Sequence, residues 1–273
     1  MKYMIDGRSV SVDVSGAVVS GDNLCLIEND DNLISECEWL DKGFAVFPVL
    51  DQLLFFYLQN GVKRLLLEAL DFAGCAVPDK EFCLERYHEC CSGQEAHIKV
   101  VDYLRSKADV KNLPIDYQIL DEKVSGACGQ QVSCRIQDQV ASGYFFIRIV
   151  RPGPACDNNP PHRDAWLDRL RHCINLYLPL AGSDGGSSLP VAPGSHFWPE
   201  SCVPRTAAGA LANGMQFSVP SVVMEDDVLE MTRPAVEPGE AMLFSPYLIH
   251  GGAVNFNKDR TRVSLEMRFW RKK

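Results

Sequence analysis

No apolar stretch of this sequence approaches the roughly 18 residues that cross a bilayer. Met1-Lys2-Tyr3-Met4-Ile5-Asp6-Gly7-Arg8 meets an acid and an arginine before any leader-like apolar core can form. Basic clusters are missing too: 27 Lys+Arg stand against 36 Asp+Glu for a net charge of −9, with no patch of the kind that binds nucleic acid. The 11 cysteines are odd in number and scattered, without a single CxxC pair, and the vicinal Cys90-Cys91 resembles no zinc ligand set. They are expected to be reduced, mostly buried thiols in a cytoplasmic protein. With no repeat, low-complexity tract or long linker, the 273 residues are expected to form one domain whose partner is a small molecule, not a membrane or a nucleic acid.

What is present divides near residue 125. Ser9-Val10-Ser11-Val12-Asp13-Val14 alternates like a short strand within 8–28. Asp51 can cap a helix through Leu53, Leu54 and Tyr57 that continues past Asn60-Gly61 along Leu65-Leu66-Leu67-Glu68-Ala69-Leu70. Asp79 offers a second cap, and 81–108 reads as one or two further helices interrupted at Ser92-Gly93. After residue 115 the pattern turns to strands: 132–137 and 144–150 as a hairpin, then 173–178, 188–192, 229–233, 241–244 and 262–270, separated by Gly/Pro/Ser turns. The fold class is therefore α+β, with a helical or mixed part over about 1–125 and an antiparallel barrel or jelly roll over about 126–273.

The chemistry centres on His162-Arg163-Asp164, where residues two apart in an extended segment present an imidazole and a carboxylate to one metal. One H-x-D pair is close to what composition gives by chance, so it needs corroboration. That comes from His250-Gly251-Gly252 at the mouth of the 241–244 strand. Two histidines and one carboxylate form the facial set of non-heme iron oxygenases, with open positions for a chelating cosubstrate and O₂. Arg260-Thr261-Arg262-Val263-Ser264-Leu265-Glu266-Met267-Arg268-Phe269 alternates strictly, putting Arg262, Ser264, Glu266 and Arg268 on one face, where an Arg-x-Ser pair can take a carboxylate.

Taken in order, His162-x-Asp164, Asn175-Leu176-Tyr177-Leu178-Pro179-Leu180, Gly186 to His196 with its Pro193-Gly194-Ser195-His196 element, Pro238-Gly239-Glu240, His250 and Arg262-x-Ser264 resemble the phytanoyl-CoA dioxygenase family of Fe(II)/2-oxoglutarate-dependent oxygenases. The resemblance covers roughly residues 130–271. It implies a double-stranded β-helix, a jelly roll with the N-terminal helices packed on one sheet. It implies Fe(II) on His162, Asp164 and His250, 2-oxoglutarate held at its far carboxylate by Arg262 with Ser264, O₂ as co-reactant, and Asn175 facing the cosubstrate. Arg260 competes with Arg262 for that salt bridge; the register in which Arg262 and Ser264 share a face favours Arg262. Asp164 stands where related halogenases carry a small residue, so hydroxylation or another oxidation without halogen transfer is expected. Nothing in the N-terminal half resembles a coenzyme A site.

Other residues admit two readings. Trp166 is a candidate wall of the substrate pocket or plain core; Arg148 is a candidate contact for an anionic substrate or half of a structural salt bridge. His196 belongs to the turn after a strand rather than to the metal, and His88, His97 and His172 are read as ordinary hydrogen-bonding groups. The small-residue segment 204–214 suits a lid, and Glu225-Asp226-Asp227 a solvated turn. The expected function is oxidation of a small-molecule metabolite, in natural-product biosynthesis. The alternatives are a cupin-like metalloenzyme that does not use 2-oxoglutarate and a non-catalytic small-molecule binding jelly roll.

Overall fold

The structure, a computed structural model, describes residues 1–77, 82–153, 157–224 and 228–272. The expected Asp79 cap and the Glu225-Asp226-Asp227 turn lie outside the described residues.

The first strands are β1 (Lys2–Ile5) and β2 (Arg8–Ser11), an antiparallel pair turned at Asp6 and Gly7, both at positive φ. β3 (Phe44–Pro48) precedes the long helix α1 (Gln52–Phe72). As its sequence suggests, the Asp51 carboxylate accepts from the Leu54 N–H at 2.8 Å, satisfying a donor the helix itself cannot. Leu58, Val62, Leu66, Ala69 and Leu70 recur every three or four residues and bury one stripe. Gly61 lies on the same stripe, where an added Cβ would come within 2.1 Å of Pro114. Helices α2 (Gln94–Ser106) and α3 (Tyr117–Cys128) complete the helical layer.

Five strands then build the larger, six-stranded sheet with β3: β4 (Val132–Ser133), β5 (Phe145–Val150), β6 (Cys173–Ala181), β8 (Glu240–Phe244) and β9 (Arg262–Arg271) belong to it, while β7 (Leu229–Met231) belongs elsewhere. Its antiparallel order is β3-β8-β6-β9, and the far edge of β9 is shared end to end by β5 and β4. The facing sheet runs β2-β1-β7 and continues through single bridges from Thr232 to Val191, Val191 to His250 and His250 to His162. Tyr177, Met242 and Phe244 of the larger sheet pack against Leu189, Val191, Leu248 and Ala253 of the facing one. Two such sheets closing on each other make a jelly roll, and the class is α+β. The larger sheet's outer face packs Val263, Leu265, Met267 and Phe269 against Leu58, Val62 and Leu66 of α1 in one apolar cluster, so the helices cover one sheet as expected.

Four local expectations need correction. Segments 132–137 and 144–150 do not pair as a hairpin, because both find their partner in β9 more than 100 residues later. The stretch after residue 115 begins with α3, capped by Asp116 at Gln118 N–H and ended by Gly129 in the left-handed conformation (φ 65°). Residues 188–192 contribute only the bridges of Val191. The segment 204–214 is no free lid: Arg205–Thr206 pairs with Val18–Val19, and Ala210–Ala212 pairs with both Val14–Ser15 and Met215–Phe217. Among the described residues, no helix is long and apolar enough to cross a membrane.

Candidate active site

His162 and His250 are brought together by backbone pairing. The N–H of each donates to the carbonyl of the other, at 2.9 and 3.0 Å, and the two rings lie side by side with centroids 4.3 Å apart. The glycines after His250 permit this approach. Gly251 holds φ +100°, and a Cβ there would stand 2.8 Å from the Pro160 carbonyl and 2.9 Å from His162 Nδ1. Asp164 opens a short 3₁₀ turn (Asp164–Trp166) that swings its carboxylate back toward the rings. Asp164 Oδ1 is 3.4 Å from His162 Nε2 and 4.0 Å from His250 Nε2, and one ligand atom from each of the three residues lies within 4.8 Å of the others. Arg163, between His162 and Asp164, is fully buried on the opposite side, where it donates to Glu200 and to the Ser195 and Trp198 carbonyls and so pins the segment.

The protonation states suit a cation. His162 Nδ1 faces the Pro160 carbonyl at 2.7 Å and His250 Nδ1 the Leu248 carbonyl at 3.0 Å. A carbonyl only accepts, so each Nδ1 carries the proton and each Nε2 offers a lone pair to the cluster. Burial, aided by His162, pushes the His250 pKa down to about 4, keeping that ring neutral. Burial alone would raise the pKa of Asp164, but Arg268 and the two histidines hold its carboxyl well below the ordinary range. Arg268 donates to Asp164 Oδ2 at 2.9 and 3.2 Å, leaving Oδ1 directed at the histidines.

The same cavity, lined by His162, Asn175, Phe244, His250, Arg262 and Arg268 among others, carries a second kind of site. Arg262 is 1% exposed, yet its Nε and Nη1 have no partner; Ser264 Oγ and Asn175 Nδ2 are likewise buried and unpartnered. A buried donor without a partner costs about 1–3 kcal/mol, more when charged, so this group of donors fits a missing anionic acceptor. The donor set therefore fits a divalent cation together with a carboxylate. Arg260 lies outside, half exposed and 3.4 Å from Asp184.

The remaining candidates fall elsewhere or in both roles. Arg148 lines the cavity but is paired with Glu266 at 3.1 Å. Trp166 is not in the cavity lining: its indole N–H donates to Glu200 at 2.9 Å, under the Arg205 guanidinium. His196 Nε2 faces the Leu40 carbonyl at 2.7 Å, His88 Nδ1 meets Thr261, His97 meets Tyr87 and Asp157, and His172 meets the Asp31 carbonyl. Sequence reading put Arg268 on the correct face of its strand without finding its bond to Asp164. Asn158 and Asn159, which also line the cavity, carried no signal beyond their place before Pro160-Pro161.

The family model for phytanoyl-CoA dioxygenase matches residues 88–263. No curated protein matches the sequence. Among solved structures, EctD from S. alaskensis, crystallised with 2-oxoglutarate and 5-hydroxyectoine, is 16% identical with a TM-score of 0.48, over 98% of this chain and 86% of that one. EvdO2 from Micromonospora carbonacea var. aurantiaca is 13% identical with a TM-score of 0.48, over 94% of each chain. AviO1 from Streptomyces viridochromogenes Tue57 is 17% identical with a TM-score of 0.46, over 85% of this chain and 92% of that one.

Proposed function

The chain belongs to the phytanoyl-CoA dioxygenase family of iron(II)- and 2-oxoglutarate-dependent oxygenases, and from that premise we propose that it hydroxylates an unactivated C–H bond of a small-molecule metabolite in natural-product biosynthesis. The observation that carries the reading is the gathering of two imidazole lone pairs and a carboxylate in His162, Asp164 and His250, with the unpartnered donors of Arg262 and Asn175 lining the same cavity as the two histidines and Ser264 beside Arg262 on β9. That donor set suits a molecule that chelates a metal with its 2-oxo acid end and presents a second carboxylate to an arginine.

In this reading His162, Asp164 and His250 would hold the iron, which with 2-oxoglutarate and O₂ would supply the oxidising chemistry. The protein's own share is placement. The Pro160 and Leu248 carbonyls fix both imidazole tautomers, and Arg268 keeps the Asp164 carboxylate ionised and turned. Arg262, held in a dry wall beside the Tyr177 ring, orients the cosubstrate through a planar two-pronged contact. Burial of the whole set excludes bulk water, which strengthens each of these interactions. The ten described cysteines are free thiols, in keeping with a cytoplasmic location.

Anaerobic addition of Fe(II) and 2-oxoglutarate to the apoprotein is expected to give the weak visible charge-transfer band of the chelate, and His162→Ala to abolish it. Iron binding without the band would favour a metalloenzyme that does not use 2-oxoglutarate, and no metal binding at all a non-catalytic binding protein.

A further inference from the structure

Beside the metal cavity lies a larger one, about 430 Å³, that shares Arg148, Asn159, Glu266 and Arg268 with it and reaches Asp164 itself. Whatever fills this vestibule lies against Asp164. Its walls are of two kinds. Leu104, Leu167 and Val219 supply apolar surface, and Val140, Tyr144 and Phe146 form an apolar rim that is 85%, 47% and 37% exposed. Isolated exposed apolar residues need no explanation, but a group of them at the mouth of a cavity marks a surface that a ligand covers.

The charges are the second feature. Four guanidinium groups (Arg105, Arg148, Arg169 and Arg268) line the vestibule against only two carboxylates, Asp164 and Glu266, in a chain whose net charge is −9. Three of the four are engaged: Arg148 with Glu266, Arg268 with Asp164, Arg105 with Asp102. The exposed guanidinium of Arg169 has no hydrogen bond or ion pair among the described residues, so it alone of the four is free for a ligand. Arg169 stands on the 3₁₀ turn Asp168–Leu170, which follows directly on the turn Asp164–Trp166, so it lies five residues after Asp164.

We propose that the vestibule selects an anionic substrate with an apolar body, and that Arg169 is the specificity-determining contact for its carboxylate or other anionic group. The apolar body lies along Tyr144, Phe146 and Leu167, which brings the carbons remote from the anionic group toward the metal. This assignment rests on the oxygenase reading for its consequence, but its test needs neither metal nor oxygen.

The test is calorimetric titration of the protein with 4-phenylbutyrate, 4-phenylbutan-1-ol and 4-phenylbutylamine, which share an apolar body and differ in charge. The carboxylate is expected to bind about tenfold more tightly than the alcohol, with the amine weakest. Arg169→Gln should remove most of that preference, and raising the salt concentration should weaken it. Arg262→Ala should leave the preference intact, because the probe's carboxylate is not expected on the cosubstrate anchor. Equal binding of the three probes, no binding of any, or a preference that vanishes in Arg262→Ala and survives in Arg169→Gln would each overturn the proposal. Anion preference in a protein that gives no iron and 2-oxoglutarate band would sink the oxygenase reading and leave the anion site standing.

Discussion

The two faces of β9 are differently finished, although both are buried around Arg262 to Leu265. On the outer face Val263, Leu265, Met267 and Phe269 are at most 1% exposed, and each finds apolar neighbours in the helical layer. On the inner face Arg262 and Ser264 are just as buried, but Arg262 Nε and Nη1 and Ser264 Oγ meet no acceptor. Burial alone therefore does not distinguish a core from a binding site. What distinguishes them is whether the buried groups are satisfied from within the chain: the apolar side closes on itself, and the polar side is left to be completed by something brought from outside.

The largest expected effect separates these faces directly. Arg262→Ala removes one partner of a buried charge pair, at a cost of about 2–5 kcal/mol. The apparent requirement for 2-oxoglutarate should rise roughly 30-fold to over 1,000-fold at 1.4 kcal/mol per tenfold. Arg260→Ala, which disturbs only an exposed pair with Asp184, should change it little. Titration of the cosubstrate band checks both, and the reverse ranking would move the anchor to Arg260. On the other face, Leu265→Ala should lower unfolding free energy by about 2–5 kcal/mol, seen in denaturant melts, while cosubstrate affinity stays unchanged. A loss of affinity there would mean that the two faces are not independent.

Next in size is Arg268→Gln, which takes away the guanidinium that turns Asp164. Metal affinity measured by titration should fall about 10- to 100-fold, with the cosubstrate anchor left in place. The smallest pair concerns the helices that cover the outer face. Gly61→Ala drives a methyl into Pro114 and should destabilise by about 1–3 kcal/mol. Gly126→Ala in α3, with nothing within 4 Å of the new methyl, should stabilise by about 0.5–1 kcal/mol.

How far the sequence reveals this molecule follows from the range of each signal. The β9 alternation is plain because a period of two over ten residues needs no knowledge of the partner strand, and the Asp51 cap is plain because its hydrogen bond spans three residues. The candidate trio His162, Asp164 and His250 is legible through residue type and order, and the structure brings the three side chains together. Pairing is not legible: nothing in 132–150 says that its partner lies at Arg262–Arg271 rather than next door. α3 escapes because Ser125, Gly126 and two polar turns dilute its apolar stripe, although Asp116 and Gly129 mark both ends. The reach of Arg268 to Asp164 escapes because it depends on the 3₁₀ turn after His162, which only the folded barrel imposes.

β9 also carries a consequence for synthesis. It pairs with β6, β5 and β4, all of which precede it in the chain, so a nascent polypeptide leaving the ribosome exposes three unpartnered edges until this strand arrives. The arginine expected to grip the cosubstrate and the one that turns the metal-binding carboxylate both travel on it. The cosubstrate anchor, the group that turns Asp164 and the closure of the barrel are thus delivered by the same translational event, after His162, Asp164 and His250 have already been made.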